Sequence, residues 1–249
     1  MFSSTFIRFS ALTTGFIGSL CLFGLGSNAK AATVVNGGFN SDLSGWTVVN
    51  QPGSFGSWFQ TAGGTSVLGF NPILAPSEGT GYAHSAQTGS TSQVLFQDIT
   101  LEAGFDHVLS FDWFAQNWAR IFADAGTLNR NVRPNQHFRV DLVSTGFTDW
   151  FGPNSSAGVL ANILAPVAEP APVSAWNDLS FDLTPWAGQT VRLAFRQVDN
   201  QFFFNAAVDD VKIASTPSTI VPEPSSMVGL LALGALGAGS VLKRKQHHS

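Results

Sequence analysis

Thiols are almost missing from this chain. Its single cysteine, Cys21, falls in an apolar leader, so the domain that follows has no disulfide to brace it and no thiolate to react. Cationic side chains are nearly as scarce. Between residues 33 and 219, seven Lys and Arg stand against fifteen Asp and Glu, a net charge near minus eight. A surface of that sign disfavours nucleic acid and favours cations. Signatures of catalysis are lacking too. The domain's histidines, His84, His107 and His137, form no His-x-His or His-Glu-x-x-His spacing for zinc. No serine occupies a Gly-x-Ser-x-Gly elbow, and Gly63-Gly64 precedes no helical pattern that could cradle phosphate. The fifteen acids are scattered, so some pair arises by chance, and no motif marks one as the two carboxyls glycoside hydrolysis needs. The expectation is a domain that is not an enzyme.

What is present begins at the two ends. Residues 1–32 read as a secretory signal peptide, with Arg8 in front, an apolar stretch from Phe9 to Leu25, and Ala29-Lys30-Ala31 at the small-residue positions. Cleavage is expected after Ala31 or Ala32. Leu20 before Cys21 argues against lipidation, because a lipobox needs a small residue there. At the other end, residues 220–249 form a tripartite tail: Pro222-Glu223-Pro224, an uncharged run of small and apolar residues, then Lys243-Arg244-Lys245. The two prolines fix φ and remove two donors, which keeps the Pro-Glu-Pro segment extended and out of any following helix. Met227 to Leu242 is 16 residues. That is about 24 Å of helix at 1.5 Å per residue, against a hydrocarbon core of roughly 30 Å. A single short transmembrane segment over 226–242 is therefore expected, with the basic residues on the inner side and the domain outside. This tail resembles the PEP-CTERM sorting signal of secreted bacterial proteins. The resemblance implies an exosortase-type sorting protease as partner and an exported protein, held at the membrane by its C-terminal helix and then placed at the cell surface or beyond.

Residues 33–219 suit one domain with a sizeable core. Period-two alternation predicts strands at Ser92–Thr100, Val108–Trp113, His137–Val143, Asn177–Leu183 and Thr190–Gln197, so the fold class is all-β. Phe114–Gln136 is expected to be a long loop with at most a short helical turn near Trp118–Ala125, and Val159–Val173 an exposed connector. Along the Phe202-Phe203-Phe204 run neighbours must point oppositely, so at least one ring faces outward.

Several segments in order resemble the jelly-roll β-sandwich of carbohydrate-binding modules: Asn36-Gly37-Gly38-Phe39-Asn40 with Gly45-Trp46, then Gln97–Gly104 with Leu109–Trp113, then Leu179–Leu183, Trp186–Leu193 and Val208–Ile213. That resemblance implies a structural Ca2+ where first and last strands meet, with Asn40 and Asp209 as the ligands carried over by position. Calcium takes six to eight hard oxygens. Asn40 stands where many relatives carry Glu, which weakens the site, and Asp209 could equally cap a strand end. Flat indole faces stack on sugar rings. Trp46, Trp113 and Trp186 lie in fold motifs and are expected in the core, whereas Trp58 with Phe59 in a Gly/Ser-rich stretch, and Trp118 with Arg120 in the long loop, are the expected ligand-binding residues. The function expected is binding of extracellular polysaccharide or matrix components; a structural or adhesive surface role, or less readily a secreted hydrolase, are the alternatives.

Overall fold

The alternation of apolar and polar residues is realised as twelve antiparallel strands. A computed structural model of the chain describes residues 31–69, 71–153, 158–168 and 175–218. In chain order the strands are β1 (Thr47–Asn50), β2 (Gly56–Thr61), β3 (Gly64–Thr65), β4 (Pro72–Ile73), β5 (Tyr82–Gln87), β6 (Thr91–Thr100), β7 (Phe105–Asn117), β8 (Gln136–Ser144), β9 (Val159–Val167), β10 (Asn177–Asp182), β11 (Thr190–Asp199) and β12 (Phe204–Pro217). A single 3₁₀ turn at Thr184–Trp186 is the only helical element among the described residues, started by Pro185. One sheet has the order β1-β6-β11-β8-β9, the other β10-β7-β12-β5-β2, and β3 pairs with β4.

Each sheet turns its apolar side chains toward the other. On β11 these are Val191, Leu193 and Phe195; on β8, Phe138, Val140 and Leu142; on β7, Leu109, Phe111 and Trp113. Such burial stabilises by about 1.5–3 kcal/mol per large side chain. Trp46 and Trp113 lie in this core, and Trp186 packs against its border beside Phe181.

One expected loop is shorter than the sequence suggests, and one expected connector is a strand. β7 runs on through Asn117, and the loop from Trp118 to Asn135 contains no helical turn among its residues. Its conformation is set by asparagine side chains that bond nearby backbone, an alternative to helix for that residue type. Val159–Val167, expected as a connector, is an edge strand on β8, with irregular register and mixed exposure. Pro166 is tolerated there because an edge strand has a side that needs no donor. Among the described residues no helix is long and apolar enough to cross a membrane; the expected leader up to residue 30 and the sorting tail from residue 219 lie outside them.

Candidate functional site

Along β11 the inward face changes character. After Val191, Leu193 and Phe195 come Gln197 and Asp199, both buried. The strands around them do the same at that end: Gln93 on β6, Gln136 on β8, Asn117 on β7 and Gln87 on β5 are all buried. Amides in an interior are costly unless bonded. Gln93 Nε2 donates to Gln197 Oε1 at 2.7 Å, Gln136 Nε2 donates to Asn117 Oδ1 at 2.9 Å, and Gln197 Nε2 donates to the Phe204 carbonyl. Gln87 Oε1, Gln93 Oε1 and Thr91 Oγ1 are buried with no partner among the described residues. The sandwich thus has an apolar middle and one polar end with unused hydrogen-bonding capacity.

A cleft of about 300 Å³ opens there, lined by Gln87, the Thr88–Ser90 turn, Arg133, Asp199 and the Asn200–Phe203 loop. Asp199, only 2 % exposed, accepts from Gln87 Nε2 at 2.8 Å and from the Gln201 amide at 3.3 Å. Burial pushes its carboxyl up to about 7, against the pull of these hydrogen bonds. The opposing wall is fixed by amides. Asn200 Nδ2 donates to the carbonyls of Arg130 and Val132 at 2.8 and 2.7 Å, and the Asn135 amide donates to Asn200 Oδ1 at 2.8 Å. Gln51 holds the same loop from the other side, donating to Asn129 and accepting from the Arg130 amide.

The rim is aromatic and cationic. Phe202 is 57 % exposed and meets Phe203 edge-on with centroids 5.0 Å apart, while Phe204, where β12 begins, turns fully into the core. Phe55 is exposed beside the Thr88–Ser90 turn, joined to it by backbone bonds with Thr88 and Ser90. Arg120, Arg130 and Arg133 all belong to the loop on this side and form no ion pair among the described residues.

A second polar corner lies where the N-terminal segment crosses β12. The Val211 amide donates to the Gly37 carbonyl at 3.0 Å, and the β12–β7 register shifts between Asp209 and Lys212, with Asp210 at φ 48°. Gly37 is required there: a Cβ would stand 1.9 Å from the Val211 carbonyl oxygen. Asp209 is buried. Its Oδ2 accepts from the Ser77 amide and hydroxyl, each at 3.0 Å, and from the Glu78 amide at 3.1 Å, while Oδ1 accepts from Asp210. Asn40 Oδ1 accepts from the Thr80 amide at 2.6 Å. The two expected calcium ligands are therefore tied to one loop, residues 77–80, but with their side-chain oxygens turned on backbone donors. Beside them, a side-chain hydrogen bond with Asp210 and that group's charge raise the Glu78 carboxyl, and Lys212 Nζ pairs with Asp210. Among the described residues no three His, Cys, Asp or Glu side chains are grouped to hold an ion.

Residues 221–245 match the family described as the PEP-CTERM protein-sorting motif. The chain carries a PEP-CTERM sorting tail. Such a tail marks an exported, sorted protein of the cell surface and implies processing by exosortase. No curated protein matches the chain. Its domain is similar to solved structures only distantly. The carbohydrate-binding module TmCBM61 in complex with β-1,4-galactotriose is 12% identical, covers 74% of this chain and 97% of its own, and gives a TM-score of 0.46. The K3 cleaved adhesin domain of Lys-gingipain from Porphyromonas gingivalis is 16% identical over 73% of this chain and 99% of its own, at 0.47. A Stig cyclase, Fisc, from Fischerella sp. TAU is 13% identical over 76% and 98%, at 0.43. Likenesses this distant decide neither ligand nor activity.

Within the domain the expected ligand residues separate. Trp58 is corrected outright: it is 3 % exposed, points inward from β2 and packs against Phe138 at 6.4 Å. Phe59, its neighbour on the strand, faces the other side, opposite His84. Trp118 donates its backbone amide to the Phe203 carbonyl at 2.9 Å, and the exposed Arg120 follows two residues later, so this pair does reach the cleft end. Sequence reasoning missed Asp199, Gln87, Asn200 and Arg133. One signal was available: the inward positions of β11 run apolar three times and then read Gln197, Asp199, an order a plain core strand would not choose.

Proposed function

We propose that this is a non-catalytic polysaccharide-binding protein of the cell envelope or extracellular matrix, whose jelly-roll sandwich takes glycan into the Asp199 cleft. The single observation that carries this reading is the cleft's make-up: amide and carboxyl groups on the floor and two phenyl rings at the rim. Sugar hydroxyls need donors and acceptors together, which the Arg133 guanidinium, the Asp199 carboxyl and the unpartnered Oε1 of Gln87 supply. The CH face of a sugar ring suits an exposed phenyl such as Phe202. The volume fits a short stretch of glycan rather than a large ligand. Asp199 is the one acid among the lining residues, which supports binding over hydrolysis, since glycosidases need two carboxyls about 5–9 Å apart. In this proposal the 226–242 segment holds the protein at the membrane until an exosortase-type protease acts on the tail.

A structural Ca2+ is the accompanying proposal at the Asp209 corner. Its support is the crowding of the Glu78 and Asp210 carboxyls, which a divalent ion would bridge in place of a proton. Asn40 and Asp209 fit it less well, because their side-chain oxygens already take backbone donors. The binding proposal is tested by presenting the full-length protein to an array of envelope and matrix glycans. Retention on at least one glycan, lost in Phe202→Ala, is the expected result; retention on none removes the reading.

A further inference from the structure

We propose that the glycan is an acidic one, whose carboxylate or sulfate groups are held by Arg133 at the cleft, with Arg120 and Arg130 extending the cationic rim. This rests on the polysaccharide reading above and narrows it to a ligand class. The argument is how an acidic domain uses its few cations. Four of the seven are paired with carboxylates: Arg139 and Arg196 with Asp141 at 2.7 and 2.6 Å, Arg192 with Asp98 at 2.6 Å, and Lys212 with Asp210. Arg120, Arg130 and Arg133 have no such partner among the described residues, although carboxylates outnumber cations two to one in the domain. All three come from one loop at one end of the sandwich.

Their isolation is not that of a loose surface. Asn200 fixes the backbone at Arg130 and Val132, and Asn135 is bonded to Asn200 in return, so Arg133 is presented by a braced segment. Arg130 donates from Nη2 to the Pro52 carbonyl at 3.2 Å, while its Nε is buried with no partner. Arg133 and Asp199 line the same cleft but do not pair. Asp199 instead takes its donors from Gln87 and Gln201, which leaves the guanidinium fork free for a ligand. A planar fork matches a carboxylate or sulfate and anchors it with paired hydrogen bonds. A neutral glycan would use the amides and the Phe202 ring and leave that charge without a counterpart. Among the cleft's lining residues Asp199 is the one acid, and Asp124 of the arginine-bearing loop lies 3.9 Å from the His137 ring instead of facing these arginines.

Affinity electrophoresis of the full-length protein tests this with polygalacturonate and dextran sulfate as acidic probes, galactan and dextran as neutral ones, and phosphatidylglycerol vesicles as a separate arm. Retardation by an acidic glycan is expected, weakening about tenfold between low salt and roughly 0.5 M NaCl as charges are screened. Arg133→Gln should lose about tenfold in affinity with an unchanged melting temperature, and Arg133→Lys should restore only part of it, since charge remains without the fork. If Arg133→Gln fails to fold, the salt dependence and probe preference of the unaltered protein decide. Equal binding of neutral glycans, indifferent to salt and to Arg133→Gln, overturns this inference and leaves the polysaccharide reading standing. Binding to no glycan overturns both, and binding only to the anionic vesicles overturns both while assigning the cationic end to a lipid surface.

Discussion

At Asp199 a carboxyl is held where water scarcely reaches it, and the consequence is measurable without any ligand. Its folded value of about 7 lies above the ordinary 3.8, so between those limits the folded protein keeps a proton that the unfolded chain has released. Stability contributed by this group is therefore lost as pH rises from about 4 to about 7 and stays lost above. His84 acts in the same window with opposite sign. Burial takes it down to about 3, so it disfavours the fold as pH falls through the unfolded value of 6.5. The comparison must then be Asp199→Asn against the unaltered protein. The variant should melt several degrees higher at pH 8 and show little difference near pH 4; no pH-dependent difference would mean that Asp199 is not desolvated. The aromatic residues divide just as clearly. Trp58→Ala should cost about 3–5 kcal/mol in chemical denaturation because it empties a core site, whereas Phe202→Ala should change stability by less than about 0.5 kcal/mol and act on binding alone. Trp58 was misread because Gly56 and Ser57 before it look like a loop. Asp199 was missed for another reason: an acid at a strand end is usually solvated, and beyond the inward Gln197 of its own strand only the inward glutamines of other strands show that it is not.

Strands were legible where both faces had distinct duties. β6, β7, β8, β10 and β11 alternate in sequence because one side meets the core, and their expected positions match to within a few residues at most ends. β5 gave no signal. Tyr-Ala-His-Ser-Ala-Gln is buried along its whole length, with small and polar residues where branched ones would mark a strand. β9 was hidden by its edge position, where exposure mixes with partial burial. That edge is tied down by Asp141, buried on β8, which accepts from Arg139 at 2.9 Å and from Asn162 of β9 at 2.7 Å through Oδ1, and from Arg196 of β11 at 2.6 Å through Oδ2. Asp141→Ala leaves a buried guanidinium without its carboxylate and should cost about 3–5 kcal/mol. Hydrogen exchange should show Val159–Val167 losing protection first; unchanged protection there would detach β9 from this network. At the other corner, Ca2+ should raise the melting temperature, and Asp210→Asn should remove that rise. Failure of Ca2+ to shift melting would end the metal proposal.

For the molecule as a whole, the tail was more legible than the domain. Pro222-Glu223-Pro224, the apolar run and Lys243-Arg244-Lys245 sit in consecutive sequence, so the motif can be read without a fold. The cleft is assembled from residues 87 to 203, brought together by strand pairing and by the Asn200 side chain, so no single stretch spells it out. Replacing both prolines of the tail by alanine should leave the protein unprocessed, seen as an intact C-terminus by mass spectrometry of the membrane fraction. Correct trimming of that variant would separate sorting from the Pro-Glu-Pro break.

β12 starts at Phe204 beside the cleft and finishes at Pro217, paired with Phe105 at the far edge of its sheet. Thirteen residue steps of strand measure roughly 40 Å. The sorting tail follows in sequence from that far end, so the chain leaves the sandwich at the pole opposite the cleft. In the proposed function a polymer would lie across the mouth about 40 Å from the point where the tail begins.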